Sequence, residues 1–118
     1  MSYDTHNVFA KILRGEIPNK TVYEDDKVLA FHDIFPKKKT HVVIIPKGAY
    51  TDIAHFGKDA TDDEIVALIR AVPKVAAALG VEAQGFRIIS NCGTHGGQEV
   101  PHLHLHLLGG ENVGRLVD

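Results

Sequence analysis

Three of the chain's eight histidines fall within five residues: His102, His104 and His106 alternate with Leu103, Leu105 and Leu107. A repeat of two is the period of a β-strand, so the three imidazoles share one face and the leucines cover the other. On a helix the same residues would scatter. Pro101 fits the first residue of such a strand, and Gly109–Gly110 its end. One histidine in a domain is most often a surface group or a hydrogen-bonded core group. Three in strict alternation, following a glycine loop, imply a use, because burying several titratable groups is otherwise costly.

Three chemistries suit this pattern. His-x-His on a strand is a common metal half-site, and imidazole suits zinc. The run contains no carboxylate, however, and no Cys-x-x-Cys occurs anywhere in the chain. A neutral imidazole is also a good nucleophile toward phosphorus, since its free pKa lies near 6.5. The central histidine would then attack while its same-face neighbours bind the phosphoryl oxygens. The preceding Gly93-Thr94-His95-Gly96-Gly97-Gln98 stretch joins two predicted strands and could turn backbone N–H groups toward an anion, with Asn91 and Gln98 as further donors. A plain connection explains the loop equally well. The third possibility is a nucleotide-binding regulator with little turnover, built from the same residues.

These residues need a scaffold, and 118 residues suit one domain over positions 1–118. The apolar and charged fractions are those of an ordinary globular protein, and a net charge of −2 gives no sign of a nucleic-acid or membrane surface. Lys37–Lys39 is the only basic run. Cys92 stands alone, so no internal disulfide forms. No signal peptide or transmembrane run is visible, and a cytoplasmic protein is expected.

In chain order, the first five or six residues look frayed. Val8–Arg14 reads as a short helix capped by Asn7 and ended by Gly15. Thr21–Glu24 and Val28–His32 form a hairpin around Asp25–Asp26–Lys27. Phe31-His32-Asp33-Ile34 marks the second strand's exit, where Asp33 could hold a ligand hydroxyl or cap a turn. The β-branched run His41–Pro46 predicts a central strand covered on both faces. The segment 47–58 reads as irregular. Thr61 and Glu64 form a capping box opening a long structural helix, with a kink expected at Pro73 and an end at Gly80. Gly85–Ser90 supplies a further strand. The sum is an α+β domain: a five-stranded antiparallel sheet with one short and one long helix.

The run His102–Leu108 resembles the His-x-His-x-His-x-x signature of the histidine triad superfamily, and most closely its Hint branch of purine nucleoside phosphoramidases. The resemblance extends to N-V-F-A-K-I-L-R-G-E-I-P, Y-E-D-D-K-V-L-A-F-H-D-I, T-H-V-V-I-I-P-K and G-G-Q-E-V-P-H-L-H-L-H-L-L-G-G, covering most of 7–110, with the signature loop and strand at 91–110. It implies the same five-stranded fold and a homodimer with a continuous sheet. It also implies a purine nucleotide substrate and no cofactor or metal. By the same resemblance His104 is the nucleophile and His106 binds a phosphoryl oxygen near the leaving group. His102 lies behind, its carbonyl fixing the His104 tautomer, and His41 is linked to His102. Asn91 and the Gly97–Gln98 backbone line the phosphate site, and Asp33 binds the ribose. Val8, Phe9, Ile12, Phe31 and Ile34 wall the purine, beside His32. Three features depart from the family pattern. Glu99 stands where many members carry serine, the first helix lacks the zinc-binding cysteines of some bacterial members, and the tail after Gly110 resembles no aromatic or proline-rich tail.

Overall fold

The computed structural model describes residues 3–117. Its elements run α1 (Val8–Leu13), β1 (Thr21–Glu24), β2 (Val28–His32), β3 (Thr40–Pro46), α2 (Ile53–Asp59), α3 (Asp62–Leu79), β4 (Arg87–Ile89) and β5 (Leu105–Gly109). The strands form one antiparallel sheet in the order β1-β2-β3-β5-β4. This is the expected fold with one helix added.

The sheet is covered on both sides, and β3 shows why its sequence is continuously apolar. Val42 and Ile44 face α3, in a cluster with Leu68, Ala71, Val75, Leu103, Leu105 and Leu107. Val43 and Ile45 face α1, with Phe9, Ile12, Leu29 and Phe31. The leucines of the triad run therefore lie under α3, as the alternation predicts. Val43 sits opposite His106 in the β3–β5 register, which puts that histidine on the α1 face.

Several local expectations need correction. Segment 47–58 is not wholly irregular: Asp52 caps α2 by accepting the His55 N–H at 2.8 Å. The helix escapes a periodicity search because it is short, contains Gly57 and buries only Phe56. The helix α3 begins at the Thr61–Glu64 capping box and ends at Gly80, as expected, but it runs on through Pro73. Pro73 and Ile69, whose carbonyl the proline cannot bond, both lie on the exposed side, where water can satisfy the freed acceptor. The strand β5 starts at Leu105, so His102 and His104 precede the ladder. The chain start is not simply frayed. Asn7 caps α1 by accepting the Ala10 N–H at 2.9 Å, and its own amide donates to the Asp4 carbonyl at 2.7 Å. Met1 and Ser2 lie outside the described residues. No helix among the described residues is long and apolar enough to cross a membrane.

Candidate active site

His102, His104 and His41 are buried and His106 is half-buried. The rings of His104 and His106 meet edge-on with centroids 5.0 Å apart, and those of His41 and His106 lie 5.1 Å apart. The hydrogen-bond partners assign a proton to each ring, because a carbonyl oxygen only accepts and a backbone N–H only donates.

His104 Nδ1 lies 2.7 Å from the His102 carbonyl oxygen. The proton is therefore on Nδ1, and Nε2 keeps its lone pair. His102 Nε2 lies 2.8 Å from the Pro46 carbonyl, so that nitrogen is protonated and Nδ1 accepts, here from the Tyr3 hydroxyl. The Lys37 backbone N–H donates to His41 Nδ1 at 3.0 Å. The proton of His41 is thus on Nε2, which lies 2.9 Å from His106 Nδ1 and 3.4 Å from Asp33 Oδ2. His106 then accepts at Nδ1 and carries its proton on Nε2. The site presents one bare nitrogen, on His104, beside one N–H donor, on His106.

Burial keeps these rings neutral. Loss of hydration is the largest cause in all four cases. It pushes His102 and His106 down to about 4 and lowers His104 and His41 from their ordinary value. For His106 the neighbouring His104 and His41 add to the effect, whereas Asp33 and Glu99 oppose it at His104.

One expected link is different. His41 bonds to His106, not to His102. The register explains this: His41 pairs with Leu108 and Val43 with His106, so His41 and His106 are diagonal neighbours on one face. His102 lies beyond the ladder, next to Pro46 at the opposite end of β3.

Among the predicted apolar walls, Phe9, Ile12 and Phe31 come together. Phe9 meets Phe31 at 5.6 Å and His104 at 4.9 Å between ring centroids. Val8 and Ile34 do not join them, being 39% and 84% exposed, and His32 is exposed as well. A cavity of about 340 Å³ opens at the far end of α1, between Leu13, Asn19, Glu24, Leu29 and Lys47; of the predicted walls it includes Ile12 alone. Asp33 takes one of the two roles its position suggested, that of a turn cap, and also meets His41. Its Oδ1 accepts the Phe35 N–H at 2.8 Å as a turn cap, while Oδ2 faces His41.

The glycine loop is tightly built. A Cβ at Gly96 would meet the Cys92 backbone oxygen at 2.5 Å, and Gly97 has φ +74°. The N–H groups of Gly97 and Gln98 donate to the carbonyls of Thr94 and Gly93, at 3.1 and 3.0 Å. They close the loop's own turns instead of pointing at an anion. The Gln98 amide accepts the Gly93 N–H at 2.9 Å and donates to the carbonyls of Thr51 and Val100 at 2.7 and 3.0 Å. Gln98 thus pins the loop to the segment before α2. Asn91 is half-buried and Glu99 exposed, the latter near enough to act on His104.

The sequence reading missed Tyr3, the Lys37 backbone and the Pro46 carbonyl. Each contributes through a contact distant in sequence or through a main-chain atom, and a side-chain pattern signals neither. Asp33, His41 and His106 also bring one potential ligand atom each within 4.8 Å of one another. Here the two imidazole atoms already share a hydrogen bond.

A two-sided antiparallel sheet carrying this alternating histidine run defines a histidine triad protein. The chain belongs to the HIT domain family, whose pattern matches residues 14–113. It is 53% identical over 98% of its length to an uncharacterised 13.2 kDa HIT-like protein of Azospirillum brasilense, covering 95% of that protein. It is 40% identical over 93% of its length to a purine nucleoside phosphoramidase of Escherichia coli, covering 92% of it. The solved structure of a HIT family hydrolase from Clostridium thermocellum superposes with a TM-score of 0.84 at 39% identity, covering 96% of this chain and 97% of that one.

Proposed function

We propose that the protein is a hydrolase of purine nucleoside 5′-phosphoramidates, acting through a nucleotidyl-His104 intermediate. The observation that carries this reading is the His104 tautomer. With Nδ1–H donated to the His102 carbonyl, Nε2 offers a lone pair at neutral pH. Nε2 attacks phosphorus, the phosphorus–nitrogen bond of the substrate breaks, and the amine leaves as it takes up a proton. Water then cleaves the phosphorus–histidine bond, releasing the nucleoside monophosphate and restoring His104. His106 Nε2–H donates to a phosphoryl oxygen beside the leaving group, where negative charge builds. His41 and the Lys37 N–H hold His106 in the donor tautomer. Phe9, Ile12 and Phe31 provide an apolar surface for the purine. Asp33 takes the ribose hydroxyls, and Asn91 and the 97–99 loop border the phosphate. The histidines supply both nucleophile and donor, so no step calls for a metal.

The relative named as a purine nucleoside phosphoramidase supports the substrate class. The test is incubation with an adenosine phosphoramidate, following AMP release with and without a chelator. Turnover is expected to survive chelation, and His104→Ala to lose several orders of magnitude in kcat while still binding AMP. Near wild-type turnover by the variant would sink the covalent mechanism. Activity lost on chelation and restored by zinc would favour a metal at Asp33, His41 and His106.

A further inference from the structure

The chain's first described residues fold back onto the start of the triad. The Tyr3 hydroxyl bonds His102 Nδ1 across 99 positions of sequence. Its ring meets the His102 ring edge-on, with centroids 5.6 Å apart and planes at 72°. The segment that carries Tyr3 is itself held. The His6 N–H donates to Asp4 Oδ1 at 2.9 Å, the Asn7 amide to the Asp4 carbonyl at 2.7 Å, and Arg14 Nη1 to the Thr5 carbonyl at 2.8 Å. Tyr3 is thereby tethered to α1, the element whose Phe9 ring packs on both His102 and His104 at 6.4 and 4.9 Å.

His102 has no solvent exposure. Its Nε2–H is committed to Pro46, which leaves Nδ1 as a buried acceptor. A buried acceptor needs a donor, and losing that donor costs more than the bond itself was worth. Tyr3 is the donor, and burial raises its phenol pKa, so the proton stays on oxygen. Both edges of the His102 ring are then fixed. The same residue's main-chain carbonyl is what His104 Nδ1 binds, so the ring anchors the oxygen that aims the nucleophile.

We propose that Tyr3 is a positioning residue of the triad: its hydroxyl locks the His102 ring against Pro46 and so holds the His102 carbonyl that orients His104. The expected effect on turnover rests on the phosphoramidase reading, whereas the effect on the two imidazoles does not.

The experiment compares full-length wild type, Tyr3→Phe and Tyr3→Ala by NMR of ¹⁵N-labelled imidazoles and by steady-state hydrolysis of an adenosine phosphoramidate. Tyr3→Phe keeps the ring and removes only the donor. In that variant the His102 Nδ1 resonance should move toward the value of an unbonded lone pair. The His104 Nδ1–H should exchange with solvent at least about tenfold faster. Under the phosphoramidase reading kcat should fall about tenfold with KM within about twofold, the mark of lost alignment and not of lost binding. An unmoved His102 Nδ1 in Tyr3→Phe overturns the proposal, as does a wild-type kcat despite a moved resonance. A change seen only in Tyr3→Ala also overturns it, by assigning the effect to ring packing. If wild type releases no AMP, the phosphoramidase reading fails and the two NMR readouts alone decide the role of Tyr3.

Discussion

At the scale of single residues, the site works by assigning protons. Four imidazoles lie within one small region; His102, His104 and His41 each have one nitrogen bound to a main-chain group that can only accept or only donate, and His106 takes its tautomer from His41. Glu99 acts on His104, the proposed nucleophile, and no hydrogen bond or ion pair among the described residues holds its side chain. It lies in the loop before the triad, it is exposed, and it stabilises the protonated form of His104. A carboxylate repels a phosphate, so its useful place is on the amine side of the substrate, where it attracts a cationic leaving group or passes it a proton. Glu99→Gln keeps the shape and removes the charge. It should lower kcat/KM for a lysine-derived phosphoramidate more than for one with an uncharged alkyl-amine leaving group. Equal losses for the two substrates would leave Glu99 as a solvated loop residue.

At the scale of elements, the sequence reading succeeded where pattern reports packing. The alternation in 102–107 placed the leucines under α3, and the β-branched run of β3 announced burial on both faces. Thr61 and Glu64 marked the start of α3 to the residue. It failed where geometry is set by partners distant in the chain. That His41 meets His106 follows from the β3–β5 register, which no local stretch encodes. That Tyr3 meets His102 follows from how the residues before α1 return over the sheet. The short helix α2 is held by an Asp52 cap and one buried phenylalanine, too little periodicity to read in advance. Among the described residues the sheet has two edges, β1 and β4, and β4 is an edge strand of three residues paired on one side alone, to β5. It and its flank expose Phe86 and Ile88, at 36% and 37%. An uncovered edge with apolar residues invites a second strand. We predict a homodimer with a continuous sheet across β4, and light scattering at micromolar concentration should give twice the chain mass. A monomer mass at that concentration would reject the pairing.

At the scale of the whole molecule, the neutral histidines make stability depend on pH. Burial holds His102 and His106 near 4, while in the unfolded chain each returns to about 6.5. Below that value the unfolded state binds protons that the folded state refuses, so stability falls as pH drops from about 6.5 toward 4. Above about 6.5 both states are neutral at these rings and nothing is lost. Each ring is worth roughly 3 kcal/mol across the full window. His104 and His41, shifted the same way by burial, add to the slope. The carboxylates work in a different range. Against the upward push of burial, the Tyr23 hydroxyl and the Lys27 and Val28 N–H groups hold Asp25 below its ordinary value, and the Tyr50 hydroxyl does the same for Glu64, so their contribution is lost only at more acidic pH. A Tm series from pH 8 to 4.5 should therefore be flat down to about 6.5 and then fall by roughly 10 °C or more. His106→Asn removes one of the responsible rings and should make that fall shallower while leaving the region above pH 6.5 flat. A wild-type curve that stays level to pH 4.5, or an unchanged slope in the variant, would show that the cluster takes up protons without resistance. It would then not be the neutral site on which the proposed nucleophilic role of His104 depends.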